Sequence, residues 1–196
     1  MASAKGMFVK PLLSSTLILA YCAAALPAAT LERLSLDEMI VKSTAIVRGK
    51  VLNSYAASSG PIIYTHYRIQ VSDTLKGPAR TAVEIQLPGG VVNNGRQTFA
   101  GVPQFNSGDE YVFFLWVGKS GATQVLGLTQ GLFSVAPGGA ADPTTTRAAS
   151  HEVMLERGTG KQVKDQVLTM RLSDLRSRIN ALLSGADVTA TPGTAK

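Results

Sequence analysis

The sequence predicts a mainly β protein: a small barrel of about five strands, with a short helix before it and an amphipathic helix after it. Three observations predict this. Apolar and polar residues alternate through 44–56, 62–72 and 81–88, the period of half-buried strands. "EYVFFLWV" at 110–117 is apolar at both parities, as in a strand covered on both faces. Segments 34–43 and 173–185 carry helix start signals.

The chain has 196 residues and 45% hydrophobic content, enough to bury a core in one domain. Charged residues make up 16%, which excludes a disordered polyelectrolyte. The formal net charge of +6 includes Lys5 and Lys10; without them it is 6 − 2 = +4. That balance is mildly basic and describes no nucleic-acid-binding stripe.

Residues 1–29 read as an export signal. Lys5 and Lys10 give a positive start, "LLSSTLILAYCAAAL" a short apolar run, and "AAALPAA" the small residues of a cleavage site. Cleavage after Ala25 or after Ala29 fits. The run is shorter than the roughly 20 residues a membrane span needs. The expected location is periplasmic or extracellular, with no stable span once the signal is removed. The alternatives are an anchor through the uncleaved N-terminus or lipidation at Cys22, where Tyr21 is large for a lipobox. Cys22 is the only cysteine, so a cleaved chain has neither disulfides nor a thiol nucleophile.

The first helix is "LSLDEMIVKS". Ser35 and Glu38 form a capping box, and Leu34 and Met39 are spaced for a hydrophobic staple. "TAIVRGKVLNSYA" is the first strand, "SSGP" at 58–61 a turn, and "IIYTHYRIQVSDTLKG" the second strand. In "TAVEIQLP", Val83, Ile85 and Leu87 share one face. Segment 89–109 is a long loop with room for one short strand. After the 110–117 strand, "KSGAT" turns the chain, and 123–135 supplies one or two more strands. "APGGAADPTTTRAAS" opens a linker or irregular segment over 136–165. The C-terminal helix falls within 166–185: Ser173 is its N-cap, and Leu175, Ile179, Leu182 and Leu183 form one apolar stripe. A disordered tail over 186–196 follows. Trp116 is assigned to the core. Strand count and length within 30–135 fit a barrel of OB type.

The order "STAIVRGKV … YTHYRIQVSDTLKGP … VEIQLPGG … GDEYVFFLWV … GLTQGLFSV" resembles a family of uncharacterised exported bacterial proteins. More distantly, it is similar to the OB-fold domain of netrin C-terminal modules and tissue inhibitors of metalloproteinases. The resemblance covers about 44–135 and implies a fold. Those inhibitors act through an N-terminal cysteine and are stapled by disulfides, so none of their functional residues is carried over.

Motifs for catalysis fall short. "HEVML" at 151–155 places Leu155 where a zincin needs its second histidine. "GKS" at 118–120 has Phe113 where a P-loop needs glycine. There is no GxSxG elbow. Asp109 and Glu110 read as turn chemistry. The expectation is a protein without catalytic residues, metal or cofactor.

Two candidate surfaces remain. The outer row of the first three strands holds Arg48, Lys50, Tyr64, His66 and Arg68, with Gln70, Glu84 and Gln86. It is either a ligand face or a solvated one on which Glu84 pairs with Arg68 or Arg48. Loop 89–109 carries Arg96, Phe99, Val102 and Phe105. These form either an exposed recognition patch or a plug for one barrel end. The function expected is a non-catalytic exported binding or scaffold module for an extracytoplasmic protein or cell-surface component, not for nucleic acid. The alternatives are a protease inhibitor acting through a loop and a hydrolase using His66.

Overall fold

The computed structural model describes residues 30–185. The expected signal and tail lie outside the described residues. The chain is mainly β with two α-helices. In order these are β1 (Thr30–Glu32), α1 (Leu36–Lys42), β2 (Ala45–Ser59), β3 (Ile62–Lys76), β4 (Ala82–Pro88), β5 (Gly90–Val92) and β6 (Gly95–Gln97). There follow β7 (Glu110–Val117), β8 (Thr123–Val125), a 3-10 turn (Leu128–Gly131), β9 (Leu132–Val135) and β10 (Thr144–Arg147). The chain continues through β11 (Val153–Leu155), β12 (Gln162–Val163), β13 (Leu168–Arg171) and α2 (Leu172–Leu183).

An eight-stranded antiparallel sheet runs β13-β10-β9-β7-β2-β3-β4, with β8 added to β7. β7 carries β2 on one edge, while β8 and β9 share the other in succession. The 3-10 turn between β8 and β9 makes that step, and Gly131 is required there: a Cβ would meet the Leu126 carbonyl oxygen at 2.5 Å. The sheet curls until β4 lies beside β8. Among the described residues no ladder joins those two strands, so the sheet is not closed into a barrel.

β7 explains the curl. Its Phe113 and Leu115 point into one core with Val47, Ile69, Ile85 and Leu87. Its Val112 and Phe114 point into a second core with Ile46, Phe133, Met39, Leu175 and Ile179. Each of these phenylalanines is fully buried and contributes about 2–3 kcal/mol by leaving water. The helices cover the part of the outer face that holds Ile46 of β2, Leu75 of β3, Val112, Phe114 and Phe133. The outer face of β3 over Tyr64–Gln70 and that of β4 are left largely to solvent.

α1 starts as its sequence dictates. Ser35 Oγ accepts from the Glu38 N–H at 3.2 Å, and the Glu38 carboxylate accepts from the Ser35 N–H at 2.9 Å. Leu34 and Met39 are both buried in the second core. Lys76 Nζ donates to the carbonyls of Ile40 and Val41 at 2.7 and 3.0 Å, a cation on the negative end of the helix. α2 begins differently from expectation. Its N-cap is Arg171; Ser173 lies inside the first turn, where its N–H and hydroxyl both donate to Asp142. A carboxylate from the loop between β9 and β10 therefore satisfies the free N–H group that a capping serine was expected to serve.

Segment 136–165 is not irregular throughout. It holds β10, β11 and β12. Arg147 of β10 is 3% exposed and donates to Asp165, 2% exposed, at 2.7 Å. It also donates to the Gln166 carbonyl at 2.7 Å. Asp165 accepts from the Ser150 N–H as well. This buried pair pins both ends of the 148–166 excursion to the sheet. Trp116 is 36% exposed, which corrects its core assignment: it sits at the β7 end, opposite Gln124 of β8. No helix among the described residues is long and apolar enough to cross a membrane.

Candidate functional site: a cleft under loop 89–109 and an outer sheet row

β2, β3 and β4 form a meander. Ile63, Tyr67 and Ile69 of β3 are buried on the inner side; Tyr64, His66, Arg68 and Gln70 alternate with them on the outer side. The strand pairing places Arg68 opposite Glu84, and His66 opposite Tyr55 and Gln86.

The outer row splits in two. β2 is irregular at Leu52, where the register with β3 shifts between Val51 and Asn53. The extra residue reverses which parity faces out. Arg48 and Lys50 therefore face out below the bulge, but Asn53, Tyr55 and Ala57 face out above it. Tyr55 thereby joins the row, although simple alternation from Arg48 places it on the inner side.

Above the bulge three side chains engage one another. The Tyr55 and His66 rings are stacked, 4.7 Å between centroids and 6° between planes. Tyr55 Oη donates to both Glu84 carboxylate oxygens at 3.2 Å. His66 Nδ1 lies 3.0 Å from Glu84 Oε1. The carboxylate favours the proton on Nδ1, leaving Nε2 as the acceptor of the neutral ring. Partial desolvation, then the Glu84 hydrogen bond and charge, push the Tyr55 phenol above its ordinary pKa. Glu84 thus pairs with His66 and Tyr55, not with Arg68 or Arg48. Arg68 is exposed on the same row, next to this trio. Among the described residues His66 bonds to Glu84 and to no serine or threonine hydroxyl.

Below the bulge Arg48 Nε donates to Glu110 at 2.7 Å, so Glu110 does more than turn the chain. Asp109 does act as turn chemistry, its carboxylate accepting from the Asn106 N–H at 2.9 Å. Lys50 and Gln70 border Glu110 in a shallow groove. Arg48 and Lys50 therefore belong to a separate cluster from Tyr64, His66 and Arg68.

Loop 89–109 divides its aromatics. Phe105 is 8% exposed and packs edge-on against Tyr67 and Phe113, at 4.9 and 5.7 Å between centroids. It plugs the inner core and belongs to no recognition patch, which removes it from the candidate site. Burial raises the Tyr67 phenol above its usual pKa, although the Phe105 backbone N–H it accepts opposes the shift. Phe99 remains 44% exposed.

Phe99 and Arg96 line a cleft of about 290 Å³, whose floor is Thr65, Tyr67 and Leu87 and whose far wall is Val102, Pro103 and Gln104. Its floor residues are the inner row of β3 and β4. The cleft and the His66 row therefore lie on opposite faces of the same strands.

The first part of the loop, up to Gln97, is tied to β3. Gly89 donates to the Ile63 carbonyl at 2.7 Å, and Thr65 Oγ1 donates to the Gly89 carbonyl at 2.7 Å. Gln97 bridges back to β3: its Oε1 accepts from the Ile63 N–H and its Nε2 donates to the Pro61 carbonyl, both at 2.8 Å. Gly90, at φ +142°, crosses so close that a Cβ would lie 2.8 Å from Thr65 Oγ1 and 3.1 Å from Ala56 Cβ.

Arg96 is the one charged residue of the cleft lining, and it has no carboxylate partner among the described residues. The cleft suits a ligand with a hydrogen-bond-accepting or anionic group beside an apolar part. Among the described residues no three His, Cys, Asp or Glu side chains converge as a metal site. No protein-family model matches the chain, and no curated protein matches it.

Proposed function

We propose that this protein is a non-catalytic binding or scaffold module of the extracytoplasmic space, and that loop 89–109 is its recognition element. The observation that carries this reading is the cleft. The loop holds Phe99 half in water and an unpaired Arg96 over a floor of Thr65, Tyr67 and Leu87. An exposed aromatic beside an unpaired guanidinium is the pairing that recognition surfaces favour. The ligand is a protein segment or surface component that presents an acceptor group to Arg96 and apolar surface to Phe99.

Export rests on the sequence pattern of residues 1–29. The curl of β2, β3, β4, β7 and β8, with β4 beside β8, supports reading this body as a half-open barrel of OB type. The outer row supports a second reading, in which Tyr55, His66 and Arg68 form the ligand face. Its favouring observation is Tyr55, a large ring left 52% exposed and oriented by its neighbours.

The test is capture from the native extracytoplasmic fraction with three baits. These are the unaltered protein, an Arg96→Glu/Phe99→Ala variant and a His66→Ala/Arg68→Glu variant. A partner held by the first and third and lost by the second supports the cleft. A partner lost only by the third transfers recognition to the outer row.

A further inference from the structure

The distal half of β2 is a strand with a bare edge. β7 pairs with β2 only from Ala45 to Lys50. Loop 107–109 then closes the base: Val51 donates to the Asp109 carbonyl, Gly108 donates to the Val51 carbonyl, and Ser107 Oγ donates to the Leu52 carbonyl. Beyond that point, Asn53–Ser59 pairs with β3 alone.

The phase of its hydrogen bonds follows from the turn. Ser59 faces Ile62 across Gly60 and Pro61, with Gly60 at φ +58°, a two-residue hairpin turn. In such a hairpin alternate residues bond across the ladder. Ser59, Ala57, Tyr55 and Asn53 therefore bond to β3. The N–H and C=O groups of Ser58, Ala56 and Ser54 point away. Ile63 confirms the phase, since its own N–H and C=O are both used on the β4 side, by Gln97 and Gly89. Among the described residues nothing pairs with the outward groups of Ser54, Ala56 and Ser58.

Exposed edges are usually blunted by charge or proline. "NSYAASS", 53–59, contains neither. We infer that this edge docks a second copy of the chain, strand to strand and antiparallel, about a two-fold axis through Ala56. The sequence is self-complementary in that register. Ala56 meets Ala56, Ser54 meets Ser58 of the second copy, and Tyr55 meets its Ala57, a large ring beside a small side chain. Three outward residues from each copy form about six interchain hydrogen bonds. Because the segment is uncharged, the two-fold axis opposes no like charges, although the whole chain is basic. A C2 contact of this kind is closed and builds no fibre. It also joins the two outer rows, with their Tyr55–His66–Glu84 trios, into one continuous face. A partner's extended peptide fits the same groups, and the test separates the two occupants.

The experiment is sedimentation of the purified protein from the low micromolar to the millimolar range, with amide hydrogen exchange measured at both ends. The mass is expected to rise toward twice the monomer, and exchange at Ser54, Ala56 and Ser58 to slow at least about tenfold on association. Ala56→Pro removes an outward N–H at an edge position that tolerates proline, and stays monomeric throughout. Ser54→Lys/Ser58→Lys keeps every N–H but sets cations at two exposed positions directly opposite one another across the seam; it is also monomeric, and it carries the test if the proline variant fails to fold. A protein that is monomeric at every concentration overturns the inference. So does a dimer that survives both variants, or protection of the three amides that arises only when extracytoplasmic extract is added.

Discussion

The Tyr55 ring lies flat on the His66 imidazole, 4.7 Å away and 6° from parallel, and Glu84 holds both by their polar atoms. Three strands each contribute one member. The arrangement orders an exposed surface that long polar side chains alone would leave mobile. It exists because the Leu52 bulge carries Tyr55 to the outer side.

Glu84 is one source of the raised Tyr55 pKa, after partial desolvation. Glu84→Gln removes its charge, so the Tyr55 phenol is expected to ionise at lower pH than in the unaltered protein. Ultraviolet difference titration reads this directly. Tyr111, raised by burial and by Asp109, serves as the internal comparison and should not move.

Phe105 and Phe99 separate structure from recognition within one loop. Phe105→Ala empties a site walled by Tyr67, Tyr111 and Phe113. It is expected to cost about 3–5 kcal/mol and to lower Tm by roughly 10 °C. Phe99→Ala changes stability by less than about 1 kcal/mol while weakening capture of the partner. Thermal unfolding of both variants checks the split.

Arg147 and Asp165 form the buried charge pair most sensitive to the loss of one partner. Asp165→Asn leaves a guanidinium without its counter-charge and is expected to destabilise by about 3–5 kcal/mol. A double Arg147→Met/Asp165→Asn variant should lose less than Asp165→Asn alone, because it buries no lone charge and the amide oxygen at 165 still accepts from the Ser150 N–H. Urea unfolding of the three proteins measures the difference.

Acid should unfold the protein through its bonded carboxylates. Burial pushes Asp165 up, but the N–H groups of Ser150 and Gln166, together with Arg147, outweigh it and hold the carboxyl below its ordinary value. The Ser173 N–H and hydroxyl lower Asp142. Their folded pKa values lie below the unfolded ones. The stability they contribute is therefore complete above the unfolded values and is lost as pH falls through the folded ones. The urea midpoint is expected to be flat near neutral pH and to drop below about pH 4.

Much of the fold was legible where a local rule and the core agreed. The Ser35–Glu38 box, the alternation of β3 and the two-sided burial of β7 were each visible in the sequence. β10 to β13 were not: they are two to four residues long, β10 to β12 are embedded in Pro-, Gly- and Thr-rich sequence, β13 falls in the segment read as helix, and pairing with β9, with β1 and with one another makes them strands. The site was legible in part. Arg96, Phe99 and Val102 stood out as loop residues, but no cleft between them and β3 was visible, and Tyr67 and Leu87, which form its floor, read as core. Tyr55 was missed because the Leu52 bulge is set by the meeting of β2 with both β3 and loop 107–109. No residue type at 52 announces it.

Recognition by loop 89–109 is tested by capture with the Arg96→Glu/Phe99→Ala variant beside the unaltered protein, with thermal unfolding of both as the control. Matching Tm values and loss of the partner from the variant alone are expected. Equal capture by both folded proteins would contradict recognition by this loop.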